Sequence, residues 1–458
     1  MVCKKTFYVL SFFALVCFLT VILKTSSHAA TVTYNGKAYY INGINVPWNQ
    51  FGSDAGSHYQ WGHLYNSTWF ETFFTQCQQY GVNCVRLWIH CDGRTLPEFN
   101  DSGYVIGLDP TFLTDFEDIL GRGQAHKVMV MPCLWSFDMT KDNTSGAGKY
   151  GGKHSDLIRS VPRTQSYLDN ALIPIVKRFA ATPNLFAYEI INEPEWSVSD
   201  VQAGGAGDMV TKVEMQRFCG MIASAIHANS NKMVTVGSAS LKWCSPRVGP
   251  AVLNMWSDSA LKAASAGDLK ATLDFYQVHY YDWMNNTDWG YDPMQLSPAK
   301  TPSWWNLDKP VLVGECPATN GIYTVSQMIA NCFANSYCGI MPWSYNANDG
   351  AGTWDGVKTQ LKAFRDAHPD MVDYTTSTIA NSEKPAAEKS LRAYTQCAIL
   401  GSRLTLPEKA QGFSVFDVKG RSLWRFERPQ GIRGPVTVSV PGNAGKEIAV
   451  VRFTAKKP

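Results

Sequence analysis

Between residues 39 and 367 the chain alternates strand-length apolar runs with helix-length amphipathic stretches. The runs are Tyr39–Trp48, Val82–His90, Lys127–Phe137, Leu185–Glu193, Met233–Ser240, Phe275–Trp283, Pro310–Glu315 and Cys338–Tyr345. Helical periodicity occupies Thr68–Tyr80, Pro110–Gly121, Arg163–Ala181, Val210–Ala228 and Trp354–Ala367. Runs that are apolar almost throughout imply strands covered on both faces, as in a parallel sheet. Eight of them interleaved with helices predict an α/β fold, a (β/α)8 TIM barrel. A doubly wound sheet also alternates, but no glycine-rich phosphate loop follows the first run. Polar loops at Asp138–Ile158 and Asn285–Asn306 fall on the strand-to-helix side, where barrels build their sites.

Two of the runs end in a carboxylate. Leu185–Trp196 reads L-F-A-Y-E-I-I-N-E-P-E-W, and Lys309–Pro317 reads K-P-V-L-V-G-E-C-P. Pro194 cannot donate to a sheet ladder, so the fourth strand must stop at Glu193. A glutamate set against such a run needs partners, because burying an unpaired charge costs several kcal/mol. Two strand-end carboxylates are what glycosidic hydrolysis requires, one protonated to serve the leaving oxygen and one ionised to attack or to activate water. Glu193, beside Ile191 and Pro194, suits the acid. Glu315 needs donors or positive charge to stay ionised, and Arg86 and Tyr281 are the candidates.

Arg86 interrupts an apolar strand, which implies a buried anion nearby. His279 and Tyr281, two residues apart, share one side of the sixth strand. Asn192 offers a donor next to the acid, and Trp343 a stacking floor for a sugar ring. His90, Trp135, Trp196 and Trp283 are further candidates for the cleft lining. Each also has a plain structural reading, as core packing or a satisfied polar network.

These residues resemble glycoside hydrolase family 5, of the large clan of retaining (β/α)8 enzymes. The likeness spans about residues 35 to 370 and rests on R-L-W at Arg86, I-I-N-E-P at Asn192 and Glu193, V-H-Y-Y at His279 and Tyr281, V-G-E at Glu315, and P-W at Trp343. The resemblance implies Glu193 as acid/base, Glu315 as nucleophile, Asn192 on the substrate 2-hydroxyl, Arg86 and Tyr281 holding the nucleophile, and His279 beside the acid/base. Trp343 would lie under the sugar at the cleavage point. Where many members carry a histidine at the end of the third strand this chain has Trp135, with His90 the nearest substitute. The implied reaction is double displacement on a β-1,4-linked plant polysaccharide, with no metal or cofactor. Y-E-I-I-N-E-P-E-W with H-Y-Y-D-W points to mannan; cellulose, exo-action, and a non-catalytic binding protein on the same barrel are the alternatives.

Outside the barrel, Lys4 and Lys5 precede an apolar run from Phe7 to Leu23 and a small-residue stretch ending at Ala30, so residues 1–30 read as a signal peptide, with an uncleaved anchor as the alternative. Export is therefore expected, to the medium or the cell surface, as a monomer without a lasting membrane partner. Residues 31–370 would be the catalytic domain, 371–411 a linker or wrap-around segment, and 412–458 a small β module with turns at Lys419–Gly420 and Gly442–Asn443. That module resembles the C-terminal sorting modules of certain bacterial secretion systems; a sugar-binding module is the rival reading. A formal charge of +3 with scattered Lys and Arg gives no footprint for nucleic acid. No C-x-x-C or H-E-x-x-H occurs, so no zinc site is expected. Some disulfides are expected after export, Cys332 and Cys338 being nearest in sequence, while Cys84, Cys133 and Cys316 read as buried thiols.

Overall fold

The computed structural model describes residues 31–375 apart from 59–60, 143–151, 202, 206, 248–253, 282–299, 320–321 and 347–348, together with strands between residues 403 and 455. The signal-peptide segment therefore lies outside the described residues. The chain divides into two compact units, Met1–Ser377 and Thr378–Pro458.

The first unit is a closed parallel barrel. Its strands are β1 (Ile41–Val46), β2 (Cys84–Cys91), β3 (Met129–Ser136), β4 (Ala187–Asn192), β5 (Met233–Ser238), β6 (Tyr276–His279), β7 (Val311–Glu315) and β8 (Gly339–Ile340). They follow one another around the ring in chain order, with β8 closing onto β1. All eight expected runs are strands, because each is buried on both faces.

Helices α1 (Ser67–Gln79), α2 (Phe112–Ala125), α3 (Val161–Tyr167, running on through a π turn at Leu168–Leu172 into Ile173–Phe179), α4 (Lys212–Asn229), α5 (Asp258–Ala264), α6 (Val325–Ala334) and α7 (Trp354–Ala367) lie in the connections. On α1, Asn66 caps the first turn by accepting from the Trp69 N–H, and Phe70, Phe73, Phe74 and Cys77 recur at helical spacing to form the buried face. α4 opens on a capping box between Thr211 and Glu214.

Alternation along the strands sorts the interior into layers. At the bottom, Ile41, Cys84, Met129, Ala187, Phe275 and Leu312 form an apolar plug. A hairpin of Val32–Tyr34 and Lys37–Tyr39 covers it, fastened where the Tyr34 hydroxyl donates to the carbonyls of Pro183 and Leu185. Above the plug the same faces turn polar, with Asn45, Arg86, Glu189 and Gln277 all fully buried. Gly237 makes room for them, since a Cβ there would lie 2.2 Å from Glu189 Oε1 and 2.7 Å from Gln277 Nε2. A second, larger apolar cluster fills the space between the strands and the helices.

In the second unit, Ala410–Asp417 pairs antiparallel with both Ser422–Glu427 and Ile448–Ala455, and Arg403–Leu406 pairs with Val436–Ser439. The turns expected at Lys419–Gly420 and Gly442–Asn443 lie outside the described residues; the strands on either side of the first pair with each other, whereas Val436–Ser439 and Ile448–Ala455 each take a different partner.

The disulfide expectation is corrected among the described residues. All nine described cysteines, Cys332 and Cys338 included, are buried free thiols. Burial raises the thiol pKa values of most of them, which keeps them protonated and unreactive. No helix among the described residues is long and apolar enough to cross a membrane.

Candidate active site

The polar layer leads up to a cleft of about 590 Å³ at the C-terminal mouth of the barrel, lined in part by Trp48, Trp88, Asp138, Asn192, Glu193, Tyr281, Glu315 and Trp343. Glu193 reaches it through a left-handed residue. β4 ends at Asn192, Glu193 takes φ 46° and ψ 49°, and Pro194 opens a 3-10 turn. That conformation costs a non-glycine residue on the order of 1 kcal/mol. It is held by a hydrogen bond from the Glu193 N–H to the Gly237 carbonyl on β5, at 2.7 Å.

Glu315, at the end of β7, faces Glu193 across the mouth. One carboxylate oxygen of each, together with one nitrogen of His279, all lie within 4.8 Å of one another. His279 Nδ1 sits between them, 2.7 Å from Glu193 Oε1 and 3.5 Å from Glu315 Oε1. Burial depresses the His279 pKa to about 4, so the imidazole is neutral at neutral pH. A neutral ring can accept at Nδ1 from a protonated Glu193 or donate to an ionised one.

The two carboxyl groups have different partners. Burial pushes the Glu193 pKa up to about 7, against the pull of the Trp196 indole N–H, which donates to Oε2 at 2.8 Å. Glu315 is also raised by burial, opposed by His279 and Arg86. It accepts from Arg86 Nη1 on Oε1 at 2.5 Å and from the Tyr281 hydroxyl on Oε2 at 2.8 Å. Both bonds favour its ionised form. The pair therefore offers one carboxyl that holds a proton near neutrality and one fastened by a guanidinium.

Arg86 is itself anchored by a residue that sequence reasoning missed. Its Nε and Nη2 donate to the two oxygens of Glu189, at 2.5 and 2.6 Å. Burial would raise the Glu189 pKa, but the Arg86 charge and hydrogen bonds hold it below the ordinary range. Asn45 completes the fit, accepting from Arg86 Nη1 at 2.9 Å while its amide donates to the carbonyls of Gly314 and Met341. Arg86 Nη2 also donates to Asn192 Oδ1 at 2.7 Å. Because arginine can only donate, this fixes the amide and leaves the Asn192 NH2 for a ligand hydroxyl.

The expected residues Arg86, Asn192, Glu193, His279, Tyr281, Glu315 and Trp343 thus converge in one place. Trp343 lies at the cleft wall, its indole N–H donating to Asp349 at 2.6 Å. Trp196 joins them through Glu193. His90 and Trp135 do not: both are fully buried, their rings tilted against each other with centroids 4.8 Å apart, with His90 Nε2 3.1 Å from the Tyr167 hydroxyl. They are core residues, because His90 near the end of β2 and Trp135 near the end of β3 both pack against Tyr167 of α3. Trp283 lies outside the described residues. Trp48, Trp88 and Asp138 line the cleft without having been singled out; the W-rich runs P-W and R-L-W carried the signal for the first two.

A further buried carboxylate, Glu195, steadies the turn after Glu193. It accepts from Ser238 Oγ at 2.6 Å, the Ala239 N–H at 3.0 Å and the Trp256 indole at 2.7 Å.

Comparison with known proteins agrees with this geometry. The family model "Cellulase (glycosyl hydrolase family 5)" matches residues 36–349. A mannan endo-1,4-beta-mannosidase of Mytilus edulis is 31% identical over 342 residues, covering 70% of this chain and 88% of its own. One from Cryptopygus antarcticus is 29% identical over 357 residues, covering 72% and 87%. The crystal structure of the endo-1,4-beta-mannanase from Eisenia fetida superposes with a TM-score of 0.65 at 28% identity, over 73% of this chain and 93% of that one. With the barrel, the paired glutamates and the family match in agreement, this chain belongs to glycosyl hydrolase family 5 and is a glycoside hydrolase.

Proposed function

We propose that the protein is an endo-acting β-1,4-mannanase that works by double displacement, with Glu193 as acid/base and Glu315 as nucleophile. The observation that carries the chemistry is the approach of their carboxylates to within 4.8 Å. An inverting pair needs room for a water and stands about 6.5–9.5 Å apart, whereas a retaining pair stands at about 5–5.5 Å. Mannan is favoured because relatives at 28–31% identity are mannanases.

In the first half-reaction, protonated Glu193 gives its proton to the leaving oxygen while ionised Glu315, aimed by Arg86 and Tyr281, attacks the anomeric carbon. The Asn192 NH2 meets the neighbouring sugar hydroxyl, and Trp343 supports the ring. Esterification removes the charge on Glu315, and with it the repulsion that opposed ionisation of Glu193. Glu193 then takes a proton from water as that water opens the ester, and the configuration is retained. His279 can follow both protonation states without becoming charged.

The test is reducing-sugar release from β-mannan and from carboxymethylcellulose, a soluble β-glucan, by the wild type and by Glu193→Gln. Mannan hydrolysis that falls by several orders of magnitude in the variant supports the proposal. Preference for the glucan would replace mannanase by cellulase, and intact function in the variant would point to a non-catalytic barrel. We also infer export, from Lys4, Lys5 and the apolar run after them; N-terminal sequencing of protein recovered from the medium checks it.

A further inference from the structure

The substrate of the proposed reaction carries no charge, yet the barrel unit holds a charged surface that such a chain does not use. Trp304, in the connection from β6 to β7, is 36% exposed. Two cations stand against its ring: the guanidinium of Arg247, from the loop between β5 and α5, at 5.1 Å from the ring centre, and the ammonium of Lys300 at 5.5 Å. Neither has an acidic partner among the described residues. The acids of the same stretch are occupied, since Asp308 accepts from the Tyr276 hydroxyl at 2.8 Å and Asp258 is paired with Lys309. None of Arg247, Lys300 and Trp304 lines the catalytic cleft.

The three residues are held in place from beneath. Trp305, which is buried, meets the Trp304 ring at right angles across 4.6 Å. The Tyr337 hydroxyl accepts from the Trp305 indole N–H at 3.0 Å and donates to the Lys300 carbonyl at 2.8 Å. The buried Ser245 hydroxyl donates to the Trp305 carbonyl at 2.5 Å and accepts from the Arg247 N–H at 3.2 Å. Two hydroxyls therefore fasten the backbones that carry both cations to the turn that carries the exposed indole. Cations drawn to an indole keep their charge, so this surface presents a flat apolar group beside an unneutralised pair of positive charges.

Resting on the reading of the substrate as a neutral hexose chain, we propose that Arg247, Lys300 and Trp304 form a second binding site, for a uronate-bearing polysaccharide that the enzyme does not cleave. A hexuronate carries both complements in one ring: C–H groups that lie against the indole, and a carboxylate for the planar guanidinium and the ammonium. A phosphate backbone suits the site poorly, since two cations on a chain of formal charge +3 are too few to follow a nucleic acid. Bound there, an acidic chain tethers the protein and leaves the cleft at the barrel mouth open to the neutral one.

The test measures binding of the full chain to immobilised polygalacturonate and, separately, to immobilised dextran sulfate. The proteins compared are the wild type, Trp304→Ala, Trp304→Tyr and the double variant Arg247→Gln with Lys300→Gln. Expected is a Kd for polygalacturonate weakened roughly fivefold in Trp304→Ala and at least as much in the double variant, and mostly restored by tyrosine, with kcat/KM on mannohexaose unchanged within about twofold throughout. Binding that dextran sulfate shares and that Trp304→Ala leaves intact would be plain charge attraction and would overturn the proposal, as would a wild type that polygalacturonate does not hold. So would an equal loss of kcat/KM on mannohexaose, which would make these residues part of the substrate cleft. A wild type inactive on mannan overturns the mannanase reading alone, because the binding is measured without turnover.

Discussion

Trp196 donates its indole N–H to Oε2 of Glu193 across 2.8 Å, three residues away along the 3-10 turn that follows β4. An indole cannot accept, so this bond favours the ionised carboxyl and opposes the upward pressure of burial. Trp196→Phe removes it. The Glu193 pKa should then rise above about 7, and the alkaline limb of the kcat/KM profile should move to higher pH by roughly half to one unit. An unmoved or downward-shifted limb would show that the indole does not tune the acid.

Glu189 shares Arg86 with Glu315. Replacing it by glutamine takes a buried negative charge away and leaves the guanidinium to Glu315 alone. The groups facing Glu315 are then Arg86 from β2, Glu193 from the end of β4, and His279 and Tyr281 from the end of β6. The Glu315 pKa should fall, so the acid limb of kcat/KM should move to lower pH. Removing one member of a buried ion pair should also cost on the order of 3 kcal/mol, read as a lower Tm. A fall in Tm with a fixed acid limb would make Glu189 a purely structural residue.

Tyr281→Phe should move the same limb the opposite way. The Tyr281 hydroxyl donates to Glu315 Oε2 at 2.8 Å and favours its ionised form. Without it, ionisation of Glu315 needs a higher pH, and kcat should drop as the carboxylate loses one of its two fastenings. Superimposable profiles for Tyr281→Phe and the wild type would refute this.

Glu193 also links stability to pH. Its folded pKa of about 7 lies above the ordinary 4.5, so its proton is bound more tightly in the folded state. The associated stability is fully present below pH 4.5 and is lost as pH rises through 7. Glu193→Gln imitates the protonated acid, its oxygen facing the Trp196 N–H and its NH2 facing His279 Nδ1. The variant should therefore be more stable than the wild type at pH 8, by about 2–3 kcal/mol, with the gap closing toward pH 4. Parallel Tm curves for the two proteins would contradict the raised pKa.

What the sequence could reveal followed from burial. A run covered on both faces is apolar wherever it can be, so Arg86 stood out inside its strand, and Asn192, His279 and Glu315 stood out as polar residues where strands end. Glu189 carries the same kind of signal but sits inside A-Y-E-I-I-N, where the more conspicuous Glu193 four residues on drew the reading away from it. His90 and Trp135 show the opposite limit: composition cannot tell which side of a strand end faces the cleft and which faces α3. α6 was missed because it is short, although Thr324 and Gln327 form the capping box that marks its start. Cys84, Cys133 and Cys316, set in apolar strands, were legible as buried thiols, whereas the bridge expected of Cys332 and Cys338 rested only on export and nearness in sequence, neither of which shows that both thiols are buried in the core.

The division of labour between Glu193 and Glu315 can be read by mass spectrometry. A 2-deoxy-2-fluoro mannoside with an activated leaving group slows opening of the ester and lets the covalent glycosyl-enzyme accumulate. Digestion of the trapped protein should yield one glycosyl unit on the peptide containing Glu315, and none on those containing Glu189 or Glu193. Label on Glu193, or no label together with a product of inverted configuration, would contradict double displacement through Glu315.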